Sequence, residues 1–192
     1  MQYDKDATRA RIFAAADDEF ARDGINGARV DKIAARAETS KALIYNYFGN
    51  KEQLFAEVVT ARLTDFAESV DIDPLDVPAY FTSVFDYLVD HPDIIRFMQH
   101  EALHYHPSEA PGFEIRRQRY HLRIEAIREA QRLGTVDPEI DPEATYLQLM
   151  GTVNWYFAAP QIAEMLVPSS SAESLLRFRT SLERTIRKAL AP

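Results

Sequence analysis

The chain has 192 residues, of which 46% are hydrophobic, so it can bury the core of one large domain or two small ones. It contains no cysteine, which excludes a disulfide framework and a zinc cluster held by thiolates. The formal net charge of −8 argues against nucleic-acid binding unless the basic residues are concentrated in one segment.

Basic residues are concentrated near the N-terminus. Residues 29–51 contain two acidic side chains, Asp31 and Glu38, and five basic ones: Arg29, Lys32, Arg36, Lys41 and Lys51. Acidic residues outnumber basic ones over the rest of the chain, from residue 52 to residue 192. Because an acidic body is repelled by DNA, this distribution would turn the basic segment toward it.

Four helices are predicted in the first part of the chain. The first covers about residues 5–22 and ends at Asp23-Gly24. A short second helix follows, with Val30, Ile33, Ala34 and Ala37 on one face. Glu38-Thr39 forms a tight turn, Ser40 is a good N-cap for a third helix over residues 41–47, and Asn50 can cap a fourth.

The third helix presents a polar and aromatic face. Ile44 and Phe48 are predicted to point inward, which leaves six side chains largely outside: Lys41, Ala42, Leu43, Tyr45, Asn46 and Tyr47. Two short helices joined by a tight turn, with such a face on the second, are typical of a helix-turn-helix that places one helix in the DNA major groove.

The chemistry of these side chains suits a duplex. Lys41 can donate to guanine or phosphate, while Ala42 and Leu43 can contact thymine methyl groups. The hydroxyls of Tyr45 and Tyr47 can reach phosphate oxygens. Two more basic residues, Arg29 and Lys51, lie at the starts of the second and fourth helices, where backbone N–H groups also attract phosphate. The alternative is a three-helix bundle with a tyrosine-rich surface.

This segment resembles the DNA-binding domain of the TetR family of bacterial repressors. Phe20 and Gly24 also fit the family pattern, and the matching elements after them are Ile33-Ala34, Ala37, Ser40, Ile44-Tyr45, Tyr47-Phe48 and Lys51-Glu52-Gln53-Leu54. The resemblance implies that Ser40 to Tyr47 form the recognition helix, and that Tyr45, Tyr47 and Lys51 touch the DNA backbone. Two positions depart from the pattern, since the family usually has glycine at Glu38 and often at Ala42. A positive φ at Glu38 would be slightly strained.

The rest of the chain is predicted to be helical, and prolines lie near most of the proposed helix ends. Pro160 is the exception and is predicted to kink or break the helix that contains it. The predicted helices cover residues 51–70, 77–90, 92–105, 112–133, 142–166 and 172–190.

Two further sites are expected in this C-terminal part. In the last helix, Leu175, Phe178, Leu182 and Ile186 follow a spacing close to a seam for a partner helix, and packing within the chain is the alternative. The resemblance implies that a homodimer forms, which would present two recognition helices to successive major grooves. It also implies a small-molecule pocket, with candidate lining residues Phe97, Glu101, Tyr120, Ile124 and Trp155.

A competing motif is His100-Glu101-Ala102-Leu103-His104, an HExxH sequence that is typical of zinc hydrolases. His106 is a possible third ligand, but Pro107 follows where such a helix would normally continue. The chain also has no room for a protease domain beside a DNA-binding one. A regulatory metal site and ordinary polar residues at a helix end are the other interpretations.

Together these features predict an all-α protein of about nine helices. We expect a helix-turn-helix domain at residues 1–50, with its motif at about 29–48, and a ligand-binding and dimerisation domain at residues 51–192. The expected function is a cytoplasmic transcriptional regulator that needs no cofactor, metal or membrane. It would bind a palindromic operator in double-stranded DNA as a homodimer until a small-molecule effector releases it. The alternatives are a zinc hydrolase that uses His100, Glu101 and His104, and an adaptor that dimerises without sensing a ligand.

Overall fold

The computed structural model describes residues 2–168 and 171–192, with side chains from Lys5 onward. Within these residues the chain forms ten α-helices and no strand, which confirms the all-α prediction. A single 3-10 turn covers Pro107–Glu109. The helices are α1 Gln2–Gly27, α2 Val30–Arg36, α3 Lys41–Phe48, α4 Lys51–Ser69, α5 Val77–Asp90, α6 Asp93–His104, α7 Phe113–Leu133, α8 Pro142–Ala158, α9 Pro160–Leu166 and α10 Ala172–Leu190.

The helix boundaries differ most from the sequence prediction at two places. Helix α1 continues to Gly27, but Gly24 has φ 63° and ψ −179°, so a kink separates its last turn from the rest. The predicted helix over residues 142–166 is two helices, because Pro160 has no N–H to donate and disfavours helical geometry at the residue before it. Ala159 accordingly has φ −123° and ψ 61°, and α9 begins at Pro160.

The described residues form two compact units. The first contains residues 2–65 and 96–113, and the second contains residues 66–95, 114–168 and 171–192. The two-domain division expected from the sequence, at residue 50, stays a prediction. No helix among the described residues is long and apolar enough to cross a membrane.

The core of the first unit is built on aromatic contacts between helices. The ring of Phe55 on α4 lies 5.1 Å from that of Phe20 on α1 and 6.4 Å from that of Phe97 on α6, measured between centroids. All three side chains are fully buried. Arg62 on α4 also donates two hydrogen bonds, of 2.7 and 2.6 Å, to the carboxylate of Asp17 on α1. These contacts fix α1 against α4, and α1 in turn supports α2 and α3.

Helix α5 is the central element of the second unit. Phe85 on α5 is buried and lies 5.3 Å from Phe157 on α8 and 5.5 Å from Phe178 on α10, again between ring centroids. Arg179 on α10 donates hydrogen bonds of 2.7 to 3.0 Å to both carboxylate oxygens of Asp86 on α5. Helices α8 and α10 therefore both pack on α5.

Candidate nucleic-acid interface

The turn between α2 and α3 is closed by backbone and side-chain hydrogen bonds. The N–H of Thr39 donates to the carbonyl of Ala34 at 3.0 Å, and the Oγ of Ser40 accepts from the N–H of Leu43 at 3.2 Å. Glu38 has φ 51°, the left-handed conformation that glycine adopts without strain. The N-cap predicted at Ser40 is therefore present, and Glu38 has the strained conformation expected of a residue that stands in place of glycine.

Helix α3 is divided into a buried face and an exposed face. Ile44 and Phe48 are 1% and 3% exposed, and they anchor the helix in the first unit. On the opposite side Tyr45 is 42% exposed. The structure brings the predicted contact residues together on this outer face: Ser40, Lys41, Ala42, Tyr45 and Asn46 are exposed, and Leu43 and Tyr47 are half-buried.

The start of α4 borders the same surface. Asn50 caps α4, because its Oδ1 accepts from the N–H of Gln53 at 2.8 Å. Lys51 follows, with its Nζ 3.5 Å from the carbonyl oxygen of Ala28. An open groove of about 550 Å³ lies here, and its lining residues are Ala28, Val30, Lys41, Tyr45, Gly49, Asn50, Lys51 and Glu52. The exposed N-cap residue of α2, Arg29, directly precedes Val30 in this lining.

Lys41 has an acidic neighbour at this surface. Its Nζ lies 2.8 Å from Oδ1 of Asp31, and this hydrogen bond raises the pKa of the Lys41 ammonium. Both side chains are about half exposed or more, so the pair contributes little to stability. A phosphate or a base edge can therefore compete with Asp31 for this ammonium at little cost.

Glu19 was not among the predicted site residues, yet this buried carboxylate holds the start of α2. Its side chain is fully buried and its Oε1 accepts from the backbone N–H of Arg29 at 3.2 Å. Lys32 lies 3.6 Å from the same oxygen, and Arg22 pairs with the other one. The signal was present in the sequence. Glu19 is on the same helical face as Ile12, and the residues three and four positions before it are themselves buried.

In α2 and α3, a short helix is joined by a tight turn to a second helix whose polar side chains point outward. This is the geometry that reads a major groove. Comparison with known proteins agrees with this interpretation. Residues 12–58 match the family model for bacterial regulatory proteins of the tetR family, and residues 76–188 match that of the tetracyclin repressor-like C-terminal domain. The chain belongs to the TetR family. It is a DNA-binding transcriptional regulator of the helix-turn-helix type.

Relatives of this TetR-family chain extend along nearly its whole length. It is 39% identical over 169 residues to the HTH-type transcriptional repressor SCO4008 of Streptomyces coelicolor, which covers 88% of each chain. A solved structure of SCO4942 from Streptomyces coelicolor is 33% identical to this chain. The superposition covers 95% of this chain and 98% of the SCO4942 chain, with a TM-score of 0.83.

A more distant solved structure has the same fold. FadR from Bacillus subtilis, solved in complex with stearoyl-CoA, is 17% identical and has a TM-score of 0.73. The superposition covers 95% of this TetR-family chain and 99% of the FadR chain. At this identity the likeness establishes the fold alone.

Two residues of the HExxH sequence in this TetR-family regulator, His100 and Glu101, pack within the first unit, whereas His104 is exposed. The ring of His100 lies directly against Gly24, where an added Cβ would be 2.6 Å from its Cε1. Glu101 is buried and already has an interaction partner, and His106 shares a 3.0 Å hydrogen bond with Ser108. Among the described residues, no group of three or more His, Cys, Asp or Glu side chains is arranged to hold a metal. The comparisons give the hydrolase interpretation no support.

The predicted ligand residues of the TetR-family chain belong to both units. Phe97 and Glu101 are buried in the first unit. In the second unit Ile124 is buried, Tyr120 is 39% exposed and Trp155 is 62% exposed. That these five residues line a pocket stays a prediction.

The predicted dimer residues on α10 need a correction. Leu182 and Ile186 are 5% and 0% exposed within the single chain, so they have no surface to offer a partner. Phe178 is half-buried and contacts Phe85 and Tyr156. Leu175 is also half-buried. Phe178, Leu182 and Ile186 are thus accounted for by packing within the chain, the alternative that the sequence left open.

Proposed function

We propose that this TetR-family regulator represses transcription as a homodimer that occupies a palindromic operator, from which a small-molecule effector releases it. The observation that carries the proposal is the division of α3 into a buried and an exposed face. Ile44 and Phe48 hold the helix firmly, while Lys41, Tyr45 and Asn46 project from the other side. A helix held in this way can enter a major groove without disturbing the core that supports it.

Base reading and backbone binding are assigned to different residues. Lys41, Ala42, Leu43 and Asn46 would face base edges, since they lie on the outer side of the first two turns of α3. Phosphates would be held by Tyr45, Tyr47 and three groups at the rim of the groove described above: Arg29, Ser40 and Lys51. The partial positive charge at the N-terminus of α4 favours an anion at the same place.

A different face of the second unit is proposed for dimerisation. On α8, Leu147, Gly151 and Trp155 follow one another at four-residue intervals, and the two large side chains are 74% and 62% exposed. On α10, Leu176 is 63% exposed and Thr180 follows one turn later. A monomer seldom leaves such apolar surface in water, and Gly151 lets a partner helix approach closely. We assign this face to a second copy of the chain.

The effector is proposed to bind in the C-terminal part of the chain, and the protein is proposed to be non-enzymatic. The Bacillus subtilis FadR structure, which has this fold, holds stearoyl-CoA, and this supports a ligand site in the C-terminal part of the present chain. His100 and Glu101 are accounted for by packing, which supports a non-enzymatic regulator. We place the protein in the cytoplasm, where its operator would be.

A gel-shift assay with DNA that flanks the protein's own gene tests the proposal. The wild-type protein should retard this fragment, and competitor DNA of unrelated sequence should not remove it. A double variant, Lys41→Ala with Tyr45→Ala, should lose binding, whereas His104→Ala should bind as the wild type does. Unchanged binding by the double variant would contradict the assignment of α3. Activity that a chelator abolishes, in a protein that ignores DNA, would favour the hydrolase.

A further inference from the structure

The second unit contains a buried arginine in the middle of α7. Arg123 is 9% exposed, and its NH2 group donates one hydrogen bond, of 3.3 Å, to the carbonyl oxygen of Ala67 in α4. Its guanidinium carbon lies 5.6 Å from the ring centroid of Tyr80 and 5.8 Å from that of Tyr120. The two aromatic faces offset part of the cost of burying a cation.

No carboxylate neutralises this cation within the described part of the chain. The interactions of Arg123 there are the carbonyl of Ala67 and the two tyrosine rings. The hydroxyls of Tyr80 and Tyr146 are 2.8 Å apart, and burial raises the pKa of both, so the pair stays neutral at physiological pH. Because a buried charge is costly until it is paired, the site favours an external anion.

Arg123 also lines an open groove of about 460 Å³ in the same unit. The other lining residues come from the end of α4, the loop after it, and α7: Ala67, Val70, Asp71, Ile72, Arg119, Leu122 and Ala126. The volume is within the range of small-molecule sites, roughly 300–1,000 Å³. Five of the eight lining residues have apolar side chains, so the groove offers apolar contacts beside the buried positive charge of Arg123.

The charges around the groove favour an anion with a single negative charge. Arg119 lies 3.1 Å from a carboxylate oxygen of Glu68, so its charge is already paired. Asp71 adds a negative charge to the lining and would repel a second charge on the ligand. A carboxylate also matches the planar guanidinium with two parallel hydrogen bonds.

We propose that this groove binds monocarboxylic acids with an apolar body, and that Arg123 holds the carboxylate. The acid would be the effector, and in this respect the inference rests on the proposed function. Because Arg123 also holds the carbonyl of Ala67 in the last turns of α4, a bound carboxylate competes for its N–H groups. The contact between α7 and α4 would then change when the acid binds.

Isothermal titration calorimetry of the full chain without DNA tests the binding class. The probes are octanoate and 4-phenylbutyrate, with octanamide and 1-octanol as uncharged equivalents and octyl phosphate as a dianion. Both carboxylates should bind, and the uncharged probes should bind at least about 10-fold more weakly, because a hydrogen bond to a charged group is lost. Octyl phosphate should bind more weakly than octanoate. Equal binding of octanoate and octanamide, no binding of either carboxylate, or tighter binding of octyl phosphate would overturn the proposal.

Variants on α7 test the role of Arg123. Arg123→Gln should weaken octanoate binding at least about 10-fold. Arg132→Gln, at an exposed position of the same helix, should bind octanoate as the wild type does. Should Arg123→Gln not fold, as judged by circular dichroism, Arg123→Lys replaces it. Lysine keeps the charge but cannot form the two parallel hydrogen bonds, so octanoate should bind severalfold more weakly. Unchanged octanoate affinity in the folded variant would overturn the proposal.

The groove and the repressor function can be contradicted by different results. Binding of octanoate without any retarded operator fragment would support the groove and contradict the proposed repressor. Operator binding without carboxylate binding would support the repressor and overturn the inference about the groove. In a protein that does both, octanoate should release the operator in the gel shift, and Arg123→Gln should require at least about 10-fold more octanoate for release.

Discussion

The carboxylate of Glu19 on α1 accepts a 3.2 Å hydrogen bond from the backbone N–H of Arg29, the N-cap residue of α2. Glu19 is fully buried, yet it also pairs with Arg22 and Lys32. The helix-turn-helix is therefore positioned by a charged group inside the first unit as well as by its apolar residues. Arg29 itself is exposed and available to DNA.

Glu19→Gln should destabilise the protein by about 1–3 kcal/mol, because the neutral amide weakens the hydrogen bonds and ion pairs that the buried carboxylate makes. Urea unfolding followed by circular dichroism measures the change. Asp18→Asn is the matched control, since Asp18 is an exposed neighbour that pairs with Arg36 at the surface. Its removal should cost less than about 1 kcal/mol. Equal effects of the two substitutions would contradict the positioning role of Glu19.

Glu38→Gly should stabilise the protein by up to about 1 kcal/mol, because glycine adopts the positive φ of this turn without strain. Glu38→Ala removes the same charge but keeps the Cβ atom, so it should give no comparable gain. Thermal unfolding of the two variants separates strain from charge. A gain of equal size with alanine would show that the carboxylate, rather than the backbone, disfavours the turn.

Leu147→Glu combined with Trp155→Glu should convert a dimer into a monomer, because two charges would be buried at the proposed interface. Sedimentation velocity measures the mass. Leu133→Glu is the control, since Leu133 is 51% exposed on α7 of the same unit and lies outside the proposed face. A double variant that remains dimeric would rule out this face of α8 as the contact.

The stability of the protein should fall at alkaline pH through the Tyr80–Tyr146 pair. Burial raises the pKa of both hydroxyls above the value of about 10 that tyrosine has in an unfolded chain. Above that pH the unfolded chain loses protons that the folded protein keeps, so the free energy of unfolding decreases as pH rises. This contribution is fully present below pH 10.

Urea unfolding between pH 8 and pH 11 measures this dependence. Tyr146→Phe should flatten it, whereas Tyr45→Phe, at an exposed position, should leave it unchanged. An identical slope in the wild type and in Tyr146→Phe would show that other groups cause the alkaline loss.

Much of the fold could be predicted because caps and prolines mark helix ends directly in the sequence. Ser40 and Asn50 accept hydrogen bonds as N-caps, and the break before Pro160 follows from its missing N–H. The outer face of α3 could be predicted for a similar reason, since two buried residues, Ile44 and Phe48, fix the orientation of so short a helix.

The partners of buried faces could not be predicted in the same way. Periodicity shows that Leu182 and Ile186 share a buried face, but the same spacing serves a helix of the same chain and a helix of a second one. The position of Glu19 on the buried face of α1 follows from local spacing, but its hydrogen bond to Arg29 does not. The burial of Arg123 depends on side chains brought together from distant segments, which local patterns do not reveal.

The most direct test of the central claim uses the absence of cysteine from the natural sequence. Ala42→Cys gives a single thiol on the outer face of α3, to which a DNA-cleaving iron chelate can be attached. Bound to its operator, this protein should cut the DNA at two symmetric positions within the protected site. The same chelate on Glu139→Cys, in an exposed loop of the second unit, should not cut there. Cleavage from position 139 but not from position 42 would contradict the account.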